Sequence, residues 1–314
     1  MKTVRQQSTA RRNLDSSAIA ALTPVFAVAP VWLLAILVFW WPVHLVWPVS
    51  FVWFAFGYLA AVILFFIRPV QVLILAPLMG AHRPTPAQSA ALEPAFRPVL
   101  QAMQLPAGRY VLATLPSTEL NAFACGGHLV VVTSYAIEAL PRDELTGVLA
   151  HELSHHLGLH TVALTFVQWL SVPVLLLARV GFFLQNVASA ATTSYGSNSS
   201  ALTVIGRTLA ALLTAISWVF LSGLLLSNAL GNIVGRNSEF QADMRAVEMG
   251  FGKPLAVALR RFVADFGADR PLTWRERLAS SHPPARTRVA RIEATLRRRR
   301  QRPAPESGNM ASWL

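Results

Sequence analysis

Charge is what this sequence lacks most. Only 13% of its 314 residues are charged, whereas 54% are hydrophobic. A soluble domain usually carries about 25% charged residues. Together with a mean hydropathy of +0.47, this deficit argues against an ordinary soluble protein and indicates a membrane protein.

Cysteine is also nearly absent. The single residue, Cys125, excludes an intrachain disulfide framework and a multi-cysteine zinc cluster. Acidic residues are outnumbered by basic ones, which gives a net charge of +12. In a membrane protein such an excess first indicates topology and contact with lipid headgroups. Since no DNA- or RNA-binding motif is present, we expect a lipid bilayer as a partner and no nucleic acid.

Long uncharged runs are what the sequence has instead. No Asp, Glu, Lys or Arg occurs from Ser16 to Ile67, a run too long for one span. A bilayer needs about 20 apolar residues per helix, so we predict spans at 20–41 and 46–67. Two further spans are predicted at 162–184 and 207–229. The alternative, that one of these last two segments packs on the protein without crossing, stays open.

Between and after the spans, the sequence predicts an extramembrane domain. Runs rich in β-branched residues at 109–115 and 128–133 predict strands, with a turn at Gly126-Gly127 between them. An interfacial or buried helix is predicted at 70–78, a short helix at 135–140 and a longer helix after Pro141, at 142–160. The uncharged stretch 185–201 is predicted to be a loop. Three more helices are predicted at 236–250, 254–266 and 285–299.

The predicted fold is an α-helical membrane protein with about four transmembrane helices and a mainly α (α+β) extramembrane domain that carries a small β-sheet. The chain begins with a basic N-terminal flank (1–17) and a transmembrane hairpin (18–67). The first part of the domain (68–161) is followed by a second transmembrane hairpin (162–230). The second part of the domain (231–299) and a disordered tail (300–314) complete the predicted order.

One motif in the predicted helix 142–160 carries chemistry. His151-Glu-Leu-Ser-His155 has the H-E-x-x-H spacing, which places both imidazoles on one helical face, where they can hold one metal ion. Glu152 lies on the same turn and can contact a water on that metal. Two imidazoles, an open coordination position and a base are what a zinc hydrolase needs.

A catalytic site of this kind needs a third protein ligand. Glu239 and Asp243 are four residues apart on a predicted helix and share a face. Glu239 can bind the metal, and Asp243 can accept the second N–H of a ligand imidazole and fix its tautomer. The alternative is a solvated acidic pair, which would be preferred without the H-E-x-x-H motif.

Four stretches together resemble the membrane metalloproteases typified by HtpX and the CAAX prenyl endoprotease. In this sequence they are His151-Glu-Leu-Ser-His155, Asn121-Ala-Phe-Ala124, Glu239-Phe-Gln-Ala-Asp243 and His282-Pro-Pro-Ala-Arg-Thr-Arg288. Their order, with two spans between His155 and Glu239, is similar to the HtpX branch. The resemblance implies a zincin-type metalloprotease domain that holds one Zn²⁺ per chain on His151, His155 and Glu239.

The resemblance also implies roles for residues outside the ligand set. Glu152 is similar to the catalytic base, and His282 to the family's active-site histidine. Asn121 with Ala122 is similar to the stretch that lines the substrate cleft, and Arg288 to a supporting arginine. From the residues alone, His282 could equally cap a helix and Arg288 could be one more basic surface residue.

The predicted function is therefore a zinc-dependent endopeptidase of membrane or misfolded proteins, acting in protein quality control. Basic residues flank the segments that share one side, including Arg68, Arg83 and the chain from Arg236 onward. By the positive-inside rule, this predicts an inner-membrane protein with both termini and the active site in the cytoplasm. Alternatives are a site-2-type intramembrane protease and a membrane scaffold with a structural metal. The oligomeric state is left open.

Overall fold

The structure is a computed structural model that describes residues 22–157, 160–195, 200–266 and 283–301. Its elements are α1 (Thr23–Val46), α2 (Phe51–Leu64), a bent segment (Arg68–Leu78), α3 (Pro86–Ala102), β1 (Val111–Leu115), β2 (Ala122–Cys125), β3 (Leu129–Thr133), α4 (Ser134–Ala139), α5 (Arg142–Leu157), α6 (His160–Tyr195), α7 (Ser200–Glu248), α8 (Gly252–Phe266) and α9 (Ala285–Gln301).

Three of the described helices are long and apolar enough to cross a membrane: α1, residues Val162–Ser194 of α6, and α7. They pack around a shared apolar core that includes Trp32, Val174 and Phe220. Large apolar side chains such as Phe26 and Phe183 point outward, 73% and 65% exposed, as expected where the surrounding solvent is lipid.

The second span was predicted at 46–67, but the helix observed there is shorter. α2 has only 14 residues, roughly 21 Å at the helical rise of about 1.5 Å per residue, whereas the bilayer core is about 30 Å thick. The chain then turns by 76° into the bent segment. The described residues therefore contain three candidate spans, or four if α2 and the bent segment count as one broken span.

The second hairpin is longer than predicted. The uncharged stretch 185–201 was expected to be a loop, but it is helical through Tyr195 and again from Ser200. Helix formation there is supported by packing between the two helices: a Cβ at Gly206 would overlap the side chain of Thr192. The expected break before residue 236 is also wrong, because α7 runs unbroken for 49 residues from the membrane into the extramembrane domain.

The small sheet lies at the centre of that domain. β3 pairs with β1 in parallel and with β2 antiparallel, giving the order β1-β3-β2. Every residue of β3 is buried, since Val130 and Val132 face the helical core while Leu129 and Val131 face the bent segment. Strands β1 and β3 were predicted; β2 was not.

The bent segment lies under the sheet. It joins two short α-helical turns to a π-helical stretch, Gln71–Leu75. Leu75 packs against the sheet, whereas Leu73 and Leu78 are each 69% exposed on the other side. A helix that is apolar on both sides suits the boundary between the domain and the bilayer, which agrees with the predicted interfacial or buried helix at 70–78.

On its other face the sheet packs against α5, which α3, α8 and α9 enclose in one core. α5 begins directly after Pro141, as predicted, with Asp143 and Glu144 in its first turn near the positive end of the helix dipole. Arg261 of α8 forms a two-point hydrogen bond with Glu144, at 2.7 and 2.8 Å. α9 continues through Gln301, one residue past the predicted start of the tail; residues 302–314 lie outside the described part.

Candidate metal centre

The two motif histidines lie on the buried face of α5. His151 and His155 are 4% and 8% exposed, and their rings meet edge to face with centroids 4.8 Å apart. Their Nε2 atoms are 3.2 Å from each other. Two nitrogen lone pairs at this distance repel unless a proton or a metal ion lies between them, so the pair needs one or the other.

α7 brings a carboxylate to the same point. Glu239 Oε2 lies 3.3 Å from His151 Nε2, and its Oε1 lies 3.2 Å from His155 Nε2. This meeting requires the chain to leave the domain through α6 and return through α7, as two spans allow. The three side chains form the metal-binding cluster identified among the described residues.

The spacing of these donor atoms fits a small tetrahedral ion. Zinc binds imidazole nitrogen and carboxylate oxygen at about 2.0–2.2 Å, which makes the edge of its tetrahedron roughly 3.3–3.5 Å. The observed separations of 3.2 and 3.3 Å are close to that edge. Nitrogen and oxygen donors also suit zinc better than the all-oxygen shells preferred by Mg²⁺ or Ca²⁺.

A second ring of polar groups holds the ligands. Asp243 Oδ1 lies 3.0 Å from His151 Nδ1, and Ser238 Oγ lies 3.3 Å from His155 Nδ1. Arg288 of α9 donates to both oxygens of Asp243, at 2.9 and 2.7 Å, and its Nη1 lies 3.0 Å from Glu239 Oε2. Such contacts fix the tautomer of a ligand histidine and raise its basicity.

The charges around His151 favour a cation at this point. Burial and the charge of Arg288 lower the pKa of His151, but Glu239 and Asp243 outweigh them and raise its pKa to about 9. Burial alone would raise the pKa of Asp243; its contacts with His151 and Arg288 instead hold that pKa below its usual value. A metal ion that binds His151 must therefore displace a proton.

A cavity of about 320 Å³ opens beside the histidines. Glu152, 8% exposed, lines it next to His151. Asn121 and Ala122, at the start of β2, form one side of the cavity. An apolar face of α8 also lines the cavity, through Leu255, Ala258, Leu259 and Phe262.

The structure brings together nearly all the residues that the sequence singled out. His151, His155, Glu239 and Asp243 meet at one point, and Arg288 is buried there instead of lying on the surface. Glu152, Asn121, Ala122 and Arg288 line the adjoining cavity. His282 lies outside the described residues, although Pro283, its neighbour, lines the same cavity.

Sequence reasoning missed two parts of the site. Ser238 contacts His155, and its position directly before Glu239 was the available signal. The α8 face was also missed, although residues 255, 258, 259 and 262 are spaced as one apolar helical stripe. His156, which follows His155 in the sequence, contacts the Leu129 carbonyl through its Nε2 at 2.7 Å, within the fold.

Comparison with known proteins agrees with this geometry. The model of peptidase family M48 matches residues 86–296. Protease HtpX of Nitrosococcus oceani is 28% identical over 203 residues, covering 58% of this chain and 64% of that protein. Protease HtpX of Shewanella loihica is 30% identical over 203 residues, covering 58% and 67%. The match thus spans less than two thirds of the first of these relatives.

A solved structure shares the fold. The crystal structure of S. mikatae Ste24p superimposes with a TM-score of 0.51 at 17% sequence identity, covering 88% of this chain and 65% of that one. Fold and site define a multi-pass membrane protein with a buried His-His-Glu metal-binding geometry. The family match extends over well more than half of the sequence, so the chain belongs to peptidase family M48.

Proposed function

We propose that this protein is a zinc-dependent, membrane-bound endopeptidase that cleaves membrane or misfolded proteins. The observation that carries the proposal is the triangle of His151, His155 and Glu239 donors beside a cavity that Glu152 lines. Membership of a peptidase family supports the reaction class. A role in protein quality control is the finer part of the proposal.

His151, His155 and Glu239 would hold the zinc ion beside the cavity that Glu152 lines. When bound there, zinc would polarise the substrate carbonyl and lower the pKa of a water to about 7. Asp243 would keep the Nδ1 proton of His151 in place, so that Nε2 stays free to bind the metal. Arg288 would hold Asp243 and Glu239 in position.

Glu152 is proposed as the general base and then the general acid. Its carboxylate would accept a proton from the attacking water and pass it to the amine that leaves when the peptide bond breaks. His282 is proposed to donate a hydrogen bond to the oxyanion that develops on the carbonyl.

The sheet provides a place for the substrate backbone. β3 is paired on both sides, whereas β2 has no second strand partner among the described residues. The β2 start, at Asn121 and Ala122, lines the cavity. An extended peptide could add to this edge through main-chain hydrogen bonds, which demand little side-chain specificity and suit a protease of misfolded proteins.

Neither alternative function gains support from the fold. In an intramembrane protease the metal-binding helix would itself be a span, whereas α5 is absent from the candidate spans and packs in the core beside the sheet. A structural zinc site is usually closed by four protein ligands, and the cluster in the described residues offers three. An inner-membrane location with a cytoplasmic site remains our proposal from the distribution of basic residues.

Replacing Glu152 tests the proposal most simply. Glu152→Gln keeps the shape of the side chain but removes the base, so casein cleavage should fall by about 10²- to 10⁴-fold while the zinc content stays unchanged. Glu138→Gln is the matched control, because Glu138 is exposed on α4. The Glu138→Gln protein should cleave casein at the wild-type rate. Wild-type cleavage by the Glu152→Gln protein would refute the proposal.

A further inference from the structure

A buried glutamine joins the bent segment to the sheet. Gln71 is fully buried, at 0% exposure, although every other residue of the bent segment after Arg68 is apolar. Its Nε2 donates to the carbonyl oxygen of Gly126 at 2.7 Å, and its Oε1 has no hydrogen-bond partner among the described residues. A buried amide costs free energy that a methionine or leucine here would avoid, so its place needs a reason.

The partner of Gln71 is the turn that follows β2. Gly126 and Gly127 have φ of +66° and +108°, which glycine adopts easily and other residues rarely do. A Cβ at Gly126 would lie 2.6 Å from Gln71 Nε2. The turn and the glutamine therefore fit each other closely, and the backbone cannot approach in this way with a larger residue.

A second membrane-attached helix holds the same residue. The Gly126 N–H donates to Thr165 Oγ1 of α6 at 3.2 Å, and Thr165 is 8% exposed. Gly126 is thus bonded through its carbonyl to the bent segment and through its N–H to α6. Both backbone groups of one turn residue are fixed by side chains from membrane-attached elements.

The other end of β2 lies at the cavity that His151 and Glu152 line. β2 has four residues, so the clamped turn and the cavity are separated by roughly 10–13 Å of strand at about 3.3 Å per residue. At the far end, Asn121 N–H donates to Thr133 Oγ1 at 3.1 Å. Because β2 is short and pairs only with β3 in the described part of the chain, its position depends strongly on how its two ends are held.

We propose that Gln71 is a positioning residue that, with Thr165, sets the place and register of the β2 edge relative to Glu152 and thereby governs substrate binding. The inference rests on the proposed function, since it takes β2 as the edge to which the substrate adds. The bent segment at the membrane boundary would thus contribute to substrate binding, because it holds the substrate-binding strand β2 in place.

The test uses the full zinc-loaded chain in lipid nanodiscs and the variant Gln71→Met, which keeps length and apolar volume but cannot donate. Backbone hydrogen exchange should speed up in residues 121–127 and stay unchanged in α5. KM for an extended peptide should rise about five- to tenfold, while kcat and zinc content stay near wild type. Gln101→Met, the same change at an exposed position, should alter none of these.

A second pair of variants separates positioning from general damage. Thr165→Val removes the oxygen that accepts from Gly126 and should again raise KM and exchange in residues 121–127, whereas Thr165→Ser keeps that oxygen and should restore both. Unchanged exchange and KM in Gln71→Met would overturn the proposal, and so would a fall in kcat accompanied by faster exchange throughout α5. If the wild-type protein cleaves nothing, the proposed function fails, while the exchange measurement still decides whether Gln71 positions β2.

Discussion

The two halves of α7 hold their polar groups differently. In the membrane half, Ser217 and the half-buried Thr214 donate to carbonyl oxygens four residues earlier on the same helix, both at 2.7 Å, and Ser227 donates to the Pro24 carbonyl of α1 at 2.9 Å. In the extramembrane half, Glu239 and Asp243 contact residues of α5 and α9. Each hydroxyl of the first kind forms one neutral hydrogen bond to a backbone carbonyl, so each can be lost alone. Those of the second kind depend on partners far away in the sequence, so a single loss disturbs the whole group.

The largest effect should come from Glu239 in the extramembrane half. Glu239→Gln keeps the size of the side chain but removes the charge of a proposed metal ligand and a partner of Arg288. The loss of zinc affinity should exceed the roughly 10–100-fold seen for residues that only support a ligand, and cleavage should be lost with it. Zinc stoichiometry after dialysis, measured by elemental analysis, checks this.

Glu248→Gln is the matched control, since it makes the same change on the same helix where the carboxylate is largely exposed. It should retain zinc and cleavage. A Glu239→Gln protein that keeps stoichiometric zinc would show that the Glu239 carboxylate is not needed to bind the metal.

A smaller effect is expected one turn further along α7. Asp243→Asn keeps a hydrogen-bond acceptor for His151 but removes the negative charge that His151 and Arg288 contact. Zinc affinity should fall by about 10–100-fold, as measured by competition with a chelator of known affinity. An affinity equal to that of the wild type would mean that Asp243 does not support the ligand.

The smallest effect should come from the membrane half. Ser217→Ala removes a hydroxyl that bonds only to its own helix, and hydrogen bonds inside membranes contribute about 0.6 kcal/mol on average. Thermal unfolding in detergent should change little, and zinc content and cleavage should not change. A loss as large as that of Asp243→Asn would erase the contrast between the two halves of α7.

The same contrast explains how much of the molecule could be predicted from its sequence. The start of α5 was predicted to the residue, because Pro141, the acidic first turn and the motif are all local signals; its end was predicted at 160, whereas the described helix extends to Leu157. His151, His155 and Glu239 were placed together because their chemistry restricts which side chains can share an ion. These inferences needed residue types and spacing, with no knowledge of packing.

What was missed depends on packing. β2 is short and made of alanine, phenylalanine and cysteine, and it becomes a strand because β3 pairs with it. The stretch 185–195 is helical because α7 lies beside it, although its composition is that of a loop. Gly231 and Gly235 favour a break in α7, yet the helix continues since both of its halves are packed against other elements.

The central claim, one metal ion held by two imidazoles and a carboxylate, is tested most directly by zinc K-edge X-ray absorption on the full-length protein. We predict one zinc per chain with nitrogen and oxygen neighbours at about 2.0–2.2 Å, two of them imidazole, and loss of this signal in Glu239→Gln. The absence of stoichiometric zinc, or a sulfur neighbour at about 2.3 Å, would contradict the account.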